Sequence, residues 1–239
     1  MKIIIDERMR QIEKAKLKEL GYEIIEIKKN DKIYQEISSH VDIFVCQTQE
    51  KIIIEPSQFN NIKESLQDEN IQLIQGSEEI KRRYPYDIKY NVCTIGKRAL
   101  HNFKYTDSTL KEELIKQGYE LINTTQGYTN CSIAVIEENS AIVTDKGLYK
   151  ILKKHNIDVL YLEYEPDIKL LDSGEYSNRN GFIGGAVSRI GDKIIVFGDL
   201  NKIDINGTIR EFINQKGIKI IDFQGLEVID YGGIVEINC

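Results

Sequence analysis

Apolar and polar residues repeat one pattern five times along the chain: a helical stretch ends on Gly or Asn, and a strand pattern follows at once. Gly and Asn tolerate the left-handed backbone that commonly ends a helix. The four residues after each of them run apolar, polar, apolar, apolar, as expected of a largely buried strand. The pattern therefore predicts five repeated units, whose helix ends lie at Gly21, Asn70, Gly118, Asn156 and Gly217.

Each unit has the same predicted order of elements: strand, strand, helix, strand. In the fourth unit the strands are predicted at 131–136, 140–144 and 157–162, and Asp145 is placed to cap a helix that ends at Asn156. The other units follow the same order, except that the first has no strand before its apolar run. The opening strands of the second, third and fifth units are predicted at 41–46, 88–94 and 185–190.

The missing strand of the first unit has a counterpart at the other end of the chain, where a spare strand pattern lies at 233–237. Pairing of the two ends would complete the first unit and remove a free sheet edge. We therefore predict an α/β protein that forms a closed fivefold pseudosymmetric α/β propeller, with the ring closed by the C-terminal strand. The alternative is an open α/β sandwich in which the helix-end pattern recurs by chance. The predicted single domain, 1–239, divides into units at 233–239 plus 1–37, 38–84, 85–126, 127–180 and 181–232.

Composition and charge narrow the possible partners and location. The 239 residues carry a formal net charge of −6, which argues against nucleic acid or an anionic membrane as an obligatory partner. No run of about 18 apolar residues is present, and the early charges of the N-terminus do not resemble a signal peptide. The four cysteines lack CxxC or zinc-like spacing. We therefore predict reduced thiols in a cytoplasmic protein with no metal and no cofactor, and the oligomeric state stays open.

The segments that lead into the opening strands are predicted to meet at one mouth of the ring axis, although they are far apart in sequence: 38–42, 85–88, 127–131, 181–185 and 230–233. His40 and Asp42 lie in one of these segments. On an extended strand, residues two apart point the same way, so we expect both side chains on one face. An imidazole that exchanges a proton near neutral pH beside a fixed carboxylate suits acid–base catalysis. The alternative is a hydrogen-bonded structural pair.

Cys131 opens the predicted strand of the fourth unit, directly after the turn at 127–130. A cysteine near a cationic histidine or exposed backbone N–H groups could act as a nucleophile with a lowered pKa. The alternative is a buried thiol that packs as a small apolar side chain, as we expect for Cys46 and Cys93. The two histidines other than His40 are expected to be structural. The predicted substrate-binding residues at the mouth are Asp42, Asp87, Asn91, Tyr128, Asn130 and Gly184.

Together these residues resemble the pentein fold of guanidino-group-modifying enzymes, a fivefold α/β propeller. The segment His40-Val-Asp42-Ile-Phe44 is similar to the His-x-Asp motif of its deiminases, and the whole chain looks like an uncharacterised bacterial branch of the fold. In that family the histidine transfers protons, a carboxylate binds the planar guanidinium cation, and a cysteine on another unit attacks the guanidinium carbon. Further similar segments lie at 84–87, 126–131, 181–185 and 198–200.

The resemblance implies a Cys- and His-dependent hydrolase or deiminase of a small guanidino or amidine compound, with Cys131 and His40 as catalytic residues. One departure bears on the nucleophile, because the family's cysteine follows a Gly-Gly turn on the unit directly after the histidine. Here that unit offers only Cys93, and Cys239 follows Gly232-Gly233 on the preceding unit. The alternative function is a catalytically inactive pentein-fold protein that binds a small cationic ligand or a protein partner.

Overall fold

The computed structural model describes residues 1–66, 72–171, 175 and 179–237. Within these residues the strands form six small sheets, five of them three-stranded and one two-stranded, so the protein belongs to the mixed α/β class. No helix in these parts of the chain is long and apolar enough to cross a membrane. In chain order the elements are β1 (Lys2–Asp6), α1 (Gln11–Glu19), β2 (Glu23–Ile27), α2 (Val41–Phe44), β3 (Val45–Gln47), β4 (Lys51–Ile54), α3 (Pro56–Ser65), β5 (Gln72–Gln75), β6 (Cys93–Ile95), β7 (Arg98–His101), α4 (Ser108–Lys116), β8 (Glu120–Asn123), α5 (Thr129–Ser132), β9 (Ile133–Glu137), β10 (Ser140–Val143), α6 (Lys146–Lys154), β11 (Asp158–Tyr161), β12 (Ile168–Lys169), α7 (Ile183–Ala186), β13 (Val187–Ile190), β14 (Lys193–Val196), α8 (Thr208–Asn214), β15 (Lys219–Ile221), β16 (Val228–Ile229) and β17 (Val235–Ile237).

The five three-stranded sheets share one topology. In each sheet an opening strand runs antiparallel to the second strand, and the third strand returns parallel to the second after a helix. The repeated order of strand, strand, helix and strand is therefore confirmed. In the first unit the opening strand is β17, which pairs antiparallel with β1 and places Ile3 opposite Glu236. The two ends of the chain thus share one sheet, as the sequence predicts.

Four of the five predicted helix ends adopt the left-handed backbone that only Gly and Asn take readily. They are Gly21 (φ 90°), Gly118 (φ 73°), Asn156 (φ 57°) and Gly217 (φ 70°). The fifth, Asn70, lies outside the described residues. The predicted N-terminal cap of α6 is also confirmed, because the Asp145 carboxylate accepts a hydrogen bond from the backbone N–H of Leu148 at 2.7 Å.

Strand β1 links two layers of the core. Its Ile3 and Ile5 pack in one cluster with Phe197 and Tyr231, whereas Ile4 packs in another, because successive side chains of a strand point to opposite faces. All three isoleucines are fully buried, and burial of one such side chain contributes about 1.5–3 kcal/mol to folding. The packing of Tyr231 against this strand fixes the 230–233 segment, which carries part of the candidate site.

The opening segments of three units begin as helices, not as strands. The sequence predicts strands from residues 41, 131 and 185, but the structure has the four-residue helices α2, α5 and α7, and the strands β3, β9 and β13 begin only after them. A buried backbone must satisfy its own N–H and C=O groups, and a helical turn does so locally. The Ser132 N–H, for example, donates to the Tyr128 carbonyl at 3.1 Å.

This difference changes the geometry of the His-x-Asp segment. His40 directly precedes α2, and Asp42 lies inside it, so the prediction that the two side chains share one face of a strand is wrong. The predicted strand at 88–94 also begins late, at Cys93. In the second and third units the chain therefore forms a turn before its strand, and neighbouring side chains of a turn point in different directions.

Candidate functional site

Side chains from separate segments of the chain enclose a cavity of about 320 Å³, which we call the front cavity. Cys131, His40 and Asp230 are among its most buried lining residues, at 3%, 0% and 1% exposed. These three come from positions far apart in sequence, so the fold brings them together. The aromatic residues that line the cavity are Tyr34, Tyr84, Tyr128 and Phe182.

The Cys131 thiol lies in α5 and contacts the carboxylate of α2. Its Sγ donates a hydrogen bond to Asp42 Oδ2 at 2.8 Å. The two residues are 89 positions apart in sequence, and both are buried. Cys131 is therefore not an isolated thiol in an apolar core, because a charged partner lies beside its sulfur.

Asn91 holds this pair in place through both ends of its amide. Its Nδ2 donates to Cys131 Sγ at 3.1 Å and to the backbone carbonyl of Asp42 at 3.2 Å. Its Oδ1 accepts from the backbone N–H groups of Asn130 and Cys131 at 2.9 and 3.3 Å. These two N–H groups lie in the first turn of α5, where the helix itself offers them no acceptor, and Asn91 supplies one. The same residue fixes the thiol relative to Asp42.

The surroundings of Cys131 disfavour ionisation of its thiol. Burial raises the pKa of Cys131 well above its ordinary value, and the carboxylates of Asp42 and Asp230 raise it further. Burial also raises the pKa of Asp42 to about 6, although hydrogen bonds from Cys131, Asn91 and Asn130 lower it. At neutral pH the site therefore pairs a protonated thiol with a carboxylate. A positive charge placed beside them would favour the thiolate.

His40 and Asp230 form the second pair of the front cavity. His40 Nδ1 lies 3.7 Å from Asp230 Oδ1, which is longer than a hydrogen bond. Burial lowers the pKa of His40, and the charge of Asp230 opposes this change without cancelling it. The imidazole is therefore neutral at pH 7. A carboxylate in this position can orient the ring and stabilise the imidazolium when it forms.

Backbone groups fix Asp230 beside the histidine. Its Oδ2 accepts from the Phe182 N–H at 2.8 Å, and its Oδ1 accepts from the Gly232 N–H at 2.9 Å. The Gly232 carbonyl in turn accepts from the Asp42 N–H at 3.1 Å. Gly232 has a φ of 70°, and a Cβ there would lie 2.6 Å from Asp42 Oδ1, so this close approach requires glycine.

An ion pair on β1 and the following turn supports the segment that leads to His40. Arg8 binds both oxygens of Asp6, with Nε–Oδ1 and Nη2–Oδ2 distances of 3.0 and 2.7 Å. The same guanidinium donates to the backbone carbonyls of Gln35 and Glu36 at 2.6 and 3.1 Å. Asp6 also accepts from Ser39 Oγ at 2.7 Å. The position of His40 therefore depends on Arg8 and Asp6, which the sequence analysis did not assign to the site.

Asp87, a predicted substrate-binding residue, is not among the described residues that line the front cavity. Its Oδ2 instead accepts a hydrogen bond from the Tyr128 hydroxyl at 2.6 Å. Burial raises the pKa of Asp87, and this hydrogen bond lowers it in part. Tyr128 does line the cavity, so Asp87 can influence a ligand there through the orientation of Tyr128.

Asn130 and Gly184 face a second, smaller cavity of about 180 Å³, which also contacts Asp42. Gly184 packs directly against the α5 segment, since a Cβ on it would lie 2.2 Å from the Asn130 carbonyl oxygen and 2.6 Å from that of Cys131. Its position therefore suits close helix packing and not contact with a ligand in the front cavity. Neither of these residues lines the front cavity among the residues described, and the same is true of the predicted substrate-binding residues Asp42 and Asn91.

Cys46 and Cys93 are not among the described residues that line the front cavity. Cys46 and Cys93 are buried, and burial raises the pKa of both thiols, that of Cys46 to about 12. Both thiols therefore stay protonated at neutral pH, as packing residues do. Cys239 lies outside the described residues.

The other histidines have local partners of their own. His101 Nδ1 lies 2.6 Å from Thr106 Oγ1, and burial lowers the pKa of His101 to about 4. His155 Nδ1 lies 3.0 Å from Glu120 Oε1 near the surface. Neither lines the front cavity among the described residues. In the same parts of the chain, no group of three or more His, Cys, Asp or Glu side chains is arranged to hold a metal ion.

The sequence analysis missed two features of the site. Asp230 lies in one of the segments predicted to meet at the mouth, but nothing near it in sequence signals that it faces His40. The aromatic lining comes from Tyr34, Tyr84 and Phe182 as well as the predicted Tyr128. The signals for Tyr84 and Phe182 were their place beside the opening segments and the similarity of segments 84–87 and 181–185 to the family.

Solved structures with a similar architecture identify the fold of the protein. DDAH from Pseudomonas aeruginosa, in a complex with citrulline, matches with a TM-score of 0.55 and 12% identity over 95% of this chain and 91% of that one. Agmatine deiminase from C. jejuni matches with a TM-score of 0.51 and 14% identity over 90% and 74% of the two chains. Inosamine-phosphate amidinotransferase from Streptomyces griseus matches with a TM-score of 0.56 and 11% identity over 93% and 75%. The protein therefore has the pentein fold of these enzymes.

At the level of sequence, the chain belongs to a family described as a family of unknown function (DUF6873), whose profile matches residues 4–235. No curated protein matches the sequence. The resemblance to the pentein fold that the sequence motifs suggest is thus confirmed for the fold.

Proposed function

We propose that the protein is a hydrolase or deiminase of a small guanidino or amidine compound, with the front cavity as its active site. The observation that carries this proposal is the 2.8 Å hydrogen bond between Cys131 Sγ and Asp42 Oδ2, beside a cavity that Cys131 shares with His40. A thiol that contacts a carboxylate thus borders the same cavity as a neutral imidazole, and these are groups that nucleophilic and acid–base catalysis use. The likeness of the fold to an agmatine deiminase and to a DDAH that binds citrulline supports the same substrate class.

The charge of the substrate would activate the nucleophile. A guanidinium cation can donate two parallel hydrogen bonds to a carboxylate, and Asp42 and Asp230 provide two carboxylates around the thiol. A cation bound between them would offset the negative charges that raise the pKa of Cys131. The thiolate would therefore form when a cationic substrate is present and not before.

The reaction needs water as its only co-reactant. His40 takes the thiol proton, and Cys131 Sγ forms a bond with the guanidinium or amidinium carbon. His40 returns the proton to the departing nitrogen, and the C–N bond breaks to release ammonia or an amine. His40 then takes a proton from a water molecule whose oxygen attacks the same carbon. The C–S bond breaks, and the leaving thiolate takes back a proton from His40. The product loses its O–H proton to the released ammonia or amine and is a urea derivative from a guanidine or an amide from an amidine.

The proposal assigns the other predicted residues indirect or direct roles. Asp42 contacts Cys131 Sγ from outside the front cavity and attracts the cation by its charge. Asn91 and Asn130 act by holding Asp42 and Cys131. Tyr128 contacts the rest of the substrate. Asp87 acts by orienting Tyr128, and Gly184 acts by allowing α5 and α7 to pack.

The proposal includes the architecture that the sequence predicts, a single domain whose five units close into one fivefold ring. The common topology of the five sheets and the pairing of β17 with β1 support it. A ring brings the opening segments of separate units to one mouth, as the front cavity requires. The chemistry also needs a reduced thiol, which fits the predicted cytoplasmic location.

The test is alkylation of the native protein by chloroacetamidine, followed by mass spectrometry of each cysteine. We expect labelling of Cys131 and none of Cys46 or Cys93, and we expect the labelling to be strongly slowed in His40→Ala, because the proposed acceptor of the thiol proton is removed. His155→Ala is the matched control, since it removes a histidine outside the cavity. Undiminished labelling in His40→Ala, or no labelling of Cys131 at all, would contradict the proposed chemistry.

A second candidate function is a binding protein without turnover, and one observation favours it: burial and two carboxylates keep the Cys131 thiol protonated. A thermal-shift series with arginine, agmatine, citrulline and methylated arginines would separate the two functions. Stabilisation that survives in Cys131→Ser, with no product formed by the unsubstituted protein, would favour the binding protein. Product formation that Cys131→Ser abolishes would favour the enzyme.

A further inference from the structure

The front cavity is polar at its deep end and aromatic along its walls. Cys131 is 3% exposed, whereas Tyr84 of the wall is 49% exposed. A ligand with its reactive carbon at Cys131 must therefore extend past the aromatic residues to reach solvent. The chemistry of this wall decides which substituent the reactive group can carry.

Three of the aromatic rings form a continuous row, which we call the aromatic row: Tyr84, Tyr128 and Phe182. The ring centres of Tyr84 and Tyr128 are 5.9 Å apart at an angle of 38°, and those of Tyr128 and Phe182 are 6.1 Å apart at 26°. Both are favourable separations for aromatic pairs. Because the hydroxyl of the central Tyr128 donates to buried Asp87 at 2.6 Å, the central ring of the row is held in place before any ligand binds, which limits the side-chain entropy lost on binding.

The charged side chains of the wall do not select a charged substituent. Glu36 and Arg179 line the cavity with opposite signs, and each already takes part in another interaction. Their formal charges cancel, and Glu36 is only 1% exposed, so the pair gives the cavity no net charge that favours a carboxylate or an ammonium tail. The shape and polarity of the aromatic rings therefore determine which substituents of a ligand the wall favours.

We propose that the substrate is a guanidine or amidine that carries a planar apolar substituent, such as an aryl or benzyl group, which stacks on the aromatic row. The volume of about 320 Å³ lies at the small end for ligand sites, so one ring beside the reactive group fills it. This inference rests on the proposed function and specifies the substrate class of the same site.

The test compares three chloroacetamidine probes that differ only on the amidine nitrogen: unsubstituted, N-benzyl and N-carboxypropyl. In each case the Cys131 sulfur forms a bond with the CH₂ carbon and chloride leaves, so mass spectrometry gives a rate constant for each probe. We expect the benzyl probe to label Cys131 about tenfold faster than the unsubstituted probe, as two favourable ring contacts would give. We expect no such gain for the carboxypropyl probe.

Two neighbouring tyrosines provide a matched pair of variants. Tyr84 and Tyr86 are both 49% exposed, but only Tyr84 lines the front cavity among the residues described. In Tyr84→Ala the ratio of benzyl to unsubstituted rates should fall several-fold, whereas in Tyr86→Ala it should stay at the wild-type value. Tyr84→Phe keeps the ring and should keep the ratio.

The outcomes separate this inference from the proposed function. If the unsubstituted probe does not label Cys131, the proposed function fails. If that probe labels Cys131 but the benzyl probe is no faster, or the carboxypropyl probe is the fastest, only the inference about the substituent is overturned. A benzyl preference that is unchanged in Tyr84→Ala would also overturn it, because the aromatic row would not be its cause.

Discussion

Replacement of Asp42 by Asn should make Cys131 more reactive toward a neutral reagent and less selective for a cationic one. The amide has nearly the shape of the carboxylate, so the side chain can stay where it is. The substitution removes one negative charge beside the thiol, which donates to Asp42 Oδ2 at 2.8 Å. Burial and the charges of Asp42 and Asp230 raise the pKa of Cys131, so removal of one charge should lower it.

The size of the effect follows from the distance. Two unit charges 2.8 Å apart repel by about 6 kcal/mol at an effective dielectric constant of about 20. Only about 1.4 kcal/mol of this repulsion must survive structural relaxation and screening to raise the alkylation rate tenfold. We therefore expect iodoacetamide, which is neutral, to label Cys131 at least about tenfold faster in Asp42→Asn than in the wild type at pH 7.5.

The cationic reagent should respond in the opposite direction. In the wild type the carboxylate attracts the amidinium group of chloroacetamidine, and in Asp42→Asn this attraction is lost. The preference for chloroacetamidine over iodoacetamide should therefore fall or reverse. Because the pKa of Asp42 is about 6, the wild type and the variant should become similar in both rates below that pH, where the wild-type carboxyl is protonated.

Quantitative mass spectrometry of Cys131 after timed labelling measures all four rates. Asp145→Asn is the control, because it makes the same chemical change at a helix cap where Asn is also accepted. Equal slowing of both reagents in Asp42→Asn would refute the reasoning, since Asp42 would then only support the structure. Unchanged rates for both would show that its charge does not govern the thiol.

Three further predictions concern stability, each measured by urea unfolding. Burial raises the pKa of Asp42 from 3.8 to about 6, so its contribution to stability is full below about pH 4 and is lost as the pH rises through about 6. The free energy of unfolding of Asp42→Asn, relative to that of the wild type, should therefore rise by up to about 3 kcal/mol between pH 4 and pH 7.5. A difference between the two proteins that does not depend on pH would contradict this. Gly184→Ala should lower the free energy of unfolding by about 1–3 kcal/mol, because its Cβ would lie 2.2 Å from the Asn130 carbonyl; a neutral effect would mean that α5 and α7 can separate. Arg8→Met should cost on the order of 3 kcal/mol by leaving fully buried Asp6 without its cation, and Arg8→Lys should cost less; equal losses would show that charge is not the cause.

The sequence predicts the repeat well because the signals that define it are local. A helix that ends on Gly118 or Gly217 does so through the backbone conformation of that residue alone. The Asp145 cap depends on a residue only three positions away. Such signals need no knowledge of the rest of the fold, and they located the second and third strands of the units within a few residues. The opening strands begin two to five residues later than predicted.

The helices that open three units could not be predicted in this way. Residues such as Val41 and Ile43 have high strand propensity, and both are completely buried. The α2 segment nevertheless forms a helical turn, because its backbone bonds to a distant part of the chain, as when the Asp42 N–H donates to the Gly232 carbonyl at 3.1 Å. Tertiary contacts of this kind override local propensity, and they also determine the directions in which His40 and Asp42 point.

The sequence predicts which segments lie together at the site, but not which of their side chains contact one another. Equivalent positions of repeated units are neighbours in a ring, and this logic assigned Cys131 and His40 to one mouth, where they do line one cavity. It could not show that Asp42 would contact the thiol while Asp230 faces the imidazole. That division depends on which way each turn aims its side chain, and the sequence pattern of a repeat carries no such information.

The arrangement of charges explains why a nucleophile would be placed where its pKa is raised. A thiol kept protonated by burial and two carboxylates reacts slowly with neutral oxidants and electrophiles, because the thiolate is the reactive form. A guanidinium or amidinium substrate brings the positive charge that removes this restraint. Binding of the cationic substrate and ionisation of the Cys131 thiol would then occur together, and the aromatic row would determine which cation binds. The charge of Asp42 would both attract the cation and keep the thiol protonated in its absence, and for this reason the crossover between neutral and cationic reagents in Asp42→Asn tests both roles together.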